Sequence, residues 1–516
     1  MAKGGRSFQR WIMEVCEMQR AEIILSLLSR KARNDENFVF RRLYRHLFNP
    51  DFYLNAYHSI IHSKPENNMV GVNGKTIDGL KPAVVNAIID RMKTETYHPQ
   101  PVWQSGIPKK NGGQNRMAVP TFEDRLVQEV LRSILEAIYE PCFLDTSHGF
   151  RPDRSCQTAL HAIKASCRGS NWIIEGHLQR FFDTVNHDKL MELLFRRIDD
   201  GRFLELIHRF LRAGYFQLGR VYTYSTVTGT PQGGVLSSLL ANIYLHELDK
   251  FMQDLSSPYT EREIKKRNRE HRRPKDGGCT RVGYTRYADH FMVGIIGSKQ
   301  MARTIREDIR TFLKDSLNLE WNPEKSRITN LAEKRARFLG YEITRSISRS
   351  QLIGSSPGVK KRRALETIQL LVPGDVIREQ IRSFSKNGKP IHHKARIHRS
   401  VPDLIRQYNA EIRGLYDYYR LATDVSAKLG KFRYFHYYSL VKTIARKEKS
   451  SVKKVLDKYG MDVKRKQGTG TKKLLGVTIQ SKDGKKKVLT YFNEPLQKKD
   501  DPITVGVSKR YDLRRE

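Results

Sequence analysis

The sequence predicts an α+β fold, and three observations predict it. Apolar residues recur at helical spacing in the first hundred residues and again after residue 400. Between them the texture changes to short β-rich runs punctuated by Gly and Pro and alternating with helices. At 516 residues the chain is long enough for about three packed units of ~150 residues each.

Taken in order, residues 1–100 read as a helical extension leading into the next unit, with Ile23, Leu25, Leu27 and Leu28 on one stripe and Val84, Val85, Ile88 and Ile89 on another. Residues 101–345 carry the β-rich runs IPKKNGGQNRMAVP, NWIIEGHLQRFFD, VTGTPQGGVL and YTRYADHFMVGII. Within them, 259–281 is a charged stretch expected to be an exposed insertion. A third unit, 346–460, contains a capping-box-like start at Ser400, Pro402 and Asp403, followed by the stripe Ile405, Tyr408, Ile412, Leu415, Tyr416, Tyr419. Residues 461–516 are a basic tail in which TKKLLGVTIQSKDGKKKVLTYF reads as two strands joined at Asp483-Gly484.

Charge and composition narrow the function. Lys and Arg number 94 against 55 Asp and Glu, a formal net charge of +39. A surplus of that size calls for a polyanionic partner, with nucleic acid first. From residue 421 onward there are 25 Lys and Arg against 10 Asp and Glu. Mean hydropathy is −0.59, and no apolar run approaches the ~18 residues that a membrane span needs. Glu14, Glu17, Arg20 and Glu22 interrupt the N-terminal apolar residues, which argues against a secretory signal. The five cysteines, Cys16, Cys142, Cys156, Cys167 and Cys279, are scattered, which suits a reducing compartment and supplies no paired thiols for a zinc-bound nuclease module.

Three segments place polar groups where chemistry can occur. Trp172 to Asp183 reads as a buried strand running into a turn, followed by a helix through Leu190, Leu194 and Ile198. Tyr284 to Gly294 reads as a hairpin with Asp289 at its turn, a carboxylate on rigid backbone. Gly229 to Leu236 is a Gly-rich turn entering a helix through Ala241, Ile243, Tyr244 and Leu248.

Together with HGFRPDRSC, LNLEWNPEKSRITN and FLGYEI, and in that family's order, these segments resemble group II intron-encoded reverse transcriptase/maturases over residues 50–460. The stretch from YNAEIRGLYDYYRLATD to KKVLDKYG is similar to that family's thumb, domain X. The resemblance implies a right-hand polymerase: fingers and palm in 101–345, a helical thumb in 346–460, and a basic nucleic-acid-binding region in 461–516. It implies a nucleotidyltransferase using Mg²⁺, with Arg116 and Gln232 contacting the nucleotide, Phe182 excluding a ribose 2′-hydroxyl and Lys325 protonating pyrophosphate. It also implies RNA contacts by Arg413, Arg433, Lys442, Arg446 and Lys447 in the thumb. The partners implied are group II intron RNA and target DNA, in a ribonucleoprotein of the bacterial cytoplasm or an organelle matrix, with no membrane.

The sequence departs from the family where the ions should sit. The family has Asp at the strand end and two Asp in the hairpin; here these positions are His177, Asp289 and His290. Neutral imidazole brings no negative charge and favours borderline metals over Mg²⁺. The expectation is therefore a disabled polymerase centre on a scaffold that still binds intron RNA, assists splicing and supports intron mobility. An RNA-binding structural protein derived from the family is the alternative. Two His and one Asp could also hold zinc, although no supporting spacing accompanies them. Smaller departures are Gln179 and Arg180, where the family has Lys and Gly, and Ser238, where it often has Pro.

Overall fold

A four-stranded antiparallel sheet in the order β10 (Arg327–Asn330), β4 (Trp172–His177), β9 (His290–Ile296), β8 (Arg281–Tyr287) holds the centre of the protein, seen here in a computed structural model. The structure describes residues 19–62, 80–108, 114–217, 220–222, 228–230, 234–270, 280–322, 326–347, 352–356, 359–362, 366–464, 470–480 and 486–501.

Helices α1 (Ala21–Asn34), α2 (Pro50–His62) and α3 (Pro82–Lys93) precede the fingers hairpin, with the short strand β1 (Phe40–Arg41) between the first two. Helix α1 buries Ile24, Leu25 and Leu28, whereas Ile23, expected in the core, is 49% exposed. Four residues at i, i+2, i+4 and i+5 span more than one helix face, and packing against the helix Phe122–Tyr139 selects the Leu25–Leu28 side. Strands β2 (Val102–Pro108) and β3 (Gln114–Val119) pair antiparallel, and β6 (Tyr215–Gln217) and β7 (Arg220–Tyr222) extend their sheet.

Helix α4 (Phe122–Tyr139) starts at Thr121, whose hydroxyl accepts from the Asp124 N–H, and α5 (Cys156–Ser166) starts with a full Ser155/Thr158 capping box. Strand β4 (Trp172–His177) then enters the central sheet and is followed by the single turn α6 (Phe181–Thr184) and by α7 (His187–Phe195). The helix predicted through Ile198 stops at Phe195. Ile198 lies instead in the two-residue strand β5 (Ile198–Asp199), paired parallel with β1, and Asp200 then caps α8 (Gly201–Arg212).

Helix α9 (Ser237–Glu270) carries Ala241, Ile243, Tyr244 and Leu248 inward as expected. Its backbone stays helical through Pro258 to Glu270, because a single Pro removes one ladder bond without preventing continuation, so the first part of the charged stretch 259–281 is helix, and residues 271–279 lie outside the described residues. Strands β8 (Arg281–Tyr287) and β9 (His290–Ile296) form the expected hairpin, and α10 (Lys299–Leu317) and β10 (Arg327–Asn330) follow.

The central sheet is apolar on both faces, and the two-residue period sorts them. Ile174, Phe291, Val293 and Ile295 belong to one core with α1–α4 and α7–α10. Ile173 and Met292 belong to a second core on the other face, with β11 (Ala336–Phe338), β12 (Tyr341–Ile347), β15 (Glu366–Leu371) and the thumb helices. A separate hairpin, β13 (Leu352–Ser356) with β14 (Val359–Arg362), lies between β12 and β15 in sequence.

The thumb begins with α11 (Gly374–Arg382) and the strand pair β16 (Ser385–Lys386) and β17 (Lys389–Pro390). Helix α12 (Val401–Tyr419) is capped by Ser400 and buries Ile405, Tyr408, Ile412, Tyr416 and Tyr419 against α13 (Val425–Lys447). After α14 (Val452–Tyr459), strands β18 (Gly460–Lys464), β19 (Thr471–Gln480) and β20 (Lys486–Thr490) make one antiparallel sheet, which contains the predicted hairpin. This tail is continuous with the thumb in its packing. Leu475, Tyr491 and Phe492 are buried in the thumb core, and Tyr416 donates to the Gln497 carbonyl at 2.8 Å.

Candidate functional site

Two chain segments bring the expected site residues together at one end of the central sheet. The last residue of β4, His177, lies opposite the first residue of β9, His290. Leu178 donates its N–H to the Asp289 carbonyl at 3.1 Å, so the neighbouring His177–His290 pair falls at a non-hydrogen-bonded position, where facing side chains approach most closely. The two imidazole centroids are 4.2 Å apart. Asp289 sits in the two-residue turn beside Ala288, which adopts the left-handed region at φ 53°.

The Asp289 carboxylate faces one nitrogen of each ring. One oxygen is 3.0 Å from His290 Nδ1 and the other is 3.5 Å from His177 Nδ1. Burial works to raise the Asp289 pKa, and the His290 hydrogen bond with the two adjacent imidazoles outweighs it, leaving the carboxyl below its ordinary range. A pocket of about 200 Å³ opens beside the cluster, lined by Glu175, His177, His290, Arg337, Leu339 and Val376 among others.

Neither neighbouring carboxylate joins this group. Glu175 shares the His177 face of a regular strand, but its oxygens accept from the Thr329 hydroxyl at 2.7 Å and the Arg337 N–H at 3.1 Å. Burial nevertheless pushes its pKa up. Asp183, on α6, is half-exposed and paired with Arg180 at 3.3 Å.

Sequence reasoning missed the residues that hold the hairpin. Arg286 is completely buried and grips Asp249 of α9 with two parallel bonds from one guanidinium edge, Nε at 2.7 Å and Nη2 at 2.6 Å. Its remaining donors reach Asn242, the Ala288 carbonyl and Ser147, and Tyr284 donates to the same Asp249. Gly149 backs the turn: a Cβ there would stand 2.4 Å from the Ala288 nitrogen. Gly176 is required opposite Phe291, whose ring would lie 2.2 Å from a Cβ. An Arg among strand residues and an Asp in the fourth turn of a helix give no pairwise signal in one sequence.

Of the remaining residues implied by the resemblance, Arg116 falls in β3 opposite Gly106, whereas Gln232 and Lys325 lie outside the described residues. Phe182 is half-buried and meets the exposed Phe150 edge-on at 6.4 Å. Its carbonyl accepts from Thr230 at 2.6 Å, tying the start of the Gly-rich segment to α6. In the thumb, Arg413 and Arg446 are exposed, and Arg433 is half-buried. Lys442 donates to the Pro390 carbonyl at 2.7 Å, and Lys447 reaches the Ile397 carbonyl at 3.4 Å. Tyr434, 54% exposed and 5.0 Å from the Tyr438 ring, adds an aromatic surface that the sequence reading did not single out.

Comparison with known proteins supplies the family. Residues 107–343 match the reverse transcriptase (RNA-dependent DNA polymerase) family, and residues 373–502 match the type II intron maturase family. The group II intron-encoded protein LtrA of Lactococcus lactis subsp. cremoris is 36% identical over 95% of this chain and 89% of its own length. The chain belongs to the group II intron-encoded reverse transcriptase/maturases. A putative COX1/OXI3 intron 1 protein of Saccharomyces cerevisiae is 31% identical over 83% of this chain, which spans 56% of that relative. Among solved structures, apo telomerase from Candida tropicalis aligns at 13% identity and a TM-score of 0.37, over 72% of this chain and 64% of that one. The architecture is the family's right-hand polymerase fold.

Reverse transcriptases generally use divalent metal ions, and the donor set here can be judged against that use. Mg²⁺ takes oxygen ligands in near-ideal octahedral geometry, usually from carboxylates and water. The cluster offers one carboxylate and two imidazoles, while Glu175 and Asp183 are engaged elsewhere. The residues present do not fit a two-Mg²⁺ centre.

Proposed function

We propose that this member of the family acts on group II intron RNA as a splicing maturase, gripping the RNA with its reverse transcriptase body and thumb, and that its polymerase centre does not extend primers. The carrying observation is the His177–Asp289–His290 cluster at the meeting point of β4 and the β8–β9 hairpin, where a pair of hard cations would face a single carboxylate. The scaffold around it is intact: the hairpin is anchored by a buried ion pair, and the thumb is a continuous helical core. The net charge of +39 supports a broad phosphate-binding surface, and a role for the ribonucleoprotein at target DNA follows from the same basic surface.

Two assays on the purified full chain test this reading. Intron RNA binding should fall steeply with salt, because each released counterion contributes about 0.7–0.9 to the log–log slope. Primer extension on an RNA template with Mg²⁺ should lie at least ~10²–10³-fold below that of the double variant His177→Asp, His290→Asp, since one lost electrostatic contact already costs that much. Equal rates would refute the disabled centre. A shallow salt slope, matching one or two phosphate contacts, would refute the RNA clamp.

A further inference from the structure

We propose that His177, Asp289 and His290 form a binding site for one borderline divalent cation of the zinc, cobalt(II) type. Two imidazoles and a carboxylate are among the donor sets such ions prefer, and three protein ligands leave a position open for water. This inference does not rest on the splicing reading, because it concerns only the donor atoms.

The geometry supports it. Tetrahedral coordination at metal–ligand distances of about 2.0–2.1 Å places neighbouring donor atoms about 3.3 Å apart. Here one donor atom from each residue can be chosen so that all lie within 4.8 Å of one another. The closest approaches, 3.0 Å from His290 Nδ1 and 3.5 Å from His177 Nδ1 to the two Asp289 oxygens, already bracket the required spacing.

The backbone under these side chains is fixed by the sheet register and the Arg286 anchor, so little ordering is needed on binding. Entry is open, since the His290 side chain is 45% exposed and the neighbouring pocket faces the cluster. The nearest cation lining that pocket, Arg337, is neutralised by Asp375 at 3.0 Å and by Glu342 at 3.3 Å. An incoming ion therefore meets little uncompensated positive charge.

The test is cobalt(II) titration of the chelator-stripped full chain, followed by visible absorption, with zinc displacement as the second step. One equivalent of cobalt should bind with d–d bands of nitrogen and oxygen ligation and no thiolate charge-transfer band, and excess Mg²⁺ should not displace it. His177→Ala and His290→Ala should each weaken binding by at least about tenfold, because even loss of a group that only orients a ligand costs that much. His208→Ala should leave binding unchanged. Zinc should also raise the thermal midpoint of the parent chain and not that of the His177→Gln, His290→Gln variant, whose neutral amides keep the size but lose the imidazole donors, a comparison that holds even if an alanine variant folds poorly. Absence of saturable cobalt binding, a thiolate band, or parent-like affinity in the His177→Ala and His290→Ala variants would overturn the proposal.

Discussion

Arg286 and Asp249 form an ion pair at 2.6 Å with no solvent exposure on either side chain, one on the strand that leads into the functional hairpin and the other on helix α9. Burial would depress the guanidinium pKa, and Asp249 outweighs it, leaving Arg286 raised and charged. The pair fixes where the hairpin turn projects, because the same guanidinium also holds the Ala288 carbonyl beside Asp289.

Breaking that pair from one side leaves an uncompensated buried charge. Asp249→Ala is expected to lower unfolding free energy by about 3–5 kcal/mol. Urea denaturation checks it, and a loss below ~1 kcal/mol would show that the anchor is dispensable.

Arg180 occupies the left-handed region at φ 47°. Its partner Asp183 is 3.3 Å away, but both side chains are about half exposed or more, so the pair offers little compensation. Arg180→Gly should therefore stabilise the fold by about 0.5–1 kcal/mol, since only Gly adopts this conformation without steric cost. A lower denaturation midpoint would contradict this.

Acid should destabilise the protein in a window set by its buried histidines. Burial, followed by Arg154 and Arg151, pushes His148 down from 6.5 to about 4, and burial does the same to His246. A folded pKa below the unfolded one means that the unfolded chain binds more protons within that window. Stability is complete above pH 6.5 and is lost as pH falls towards 4. Unfolding midpoints measured from pH 7 to pH 4 should decline, and His148→Gln should flatten the decline.

The thumb separates packing from RNA contact. Tyr416 is 1% exposed, so Tyr416→Ala should cost about 2–4 kcal/mol. Joint replacement of Arg413, Arg433 and Arg446 by Gln should preserve the thermal midpoint while reducing intron RNA affinity. Lys442 is best left out of that set: its bond to Pro390 means that Lys442→Gln also loosens β17. Unchanged RNA affinity in the triple variant would remove these residues from the interface.

The sequence by itself determined the local elements and the chemistry of the exception. The cap at Ser400, the strand-turn-strand pattern around Asp289 and the stripe of α12 are all short-range signals, and each stands where its spacing put it. The identities of His177 and His290 were equally plain, because a changed residue type within an ordered series of motifs needs no coordinates to be noticed.

Only the tertiary structure decided what those residues face. Sheet register brought His177 onto His290, 113 positions away in the chain, and long-range hydrogen bonds diverted Glu175 to Thr329 and Arg337. The Arg286–Asp249 anchor and the merging of the tail into the thumb core were hidden for the same reason. A single sequence encodes periodicity along the chain, whereas contacts between distant segments are chosen by which faces bury together and which polar groups must be satisfied there.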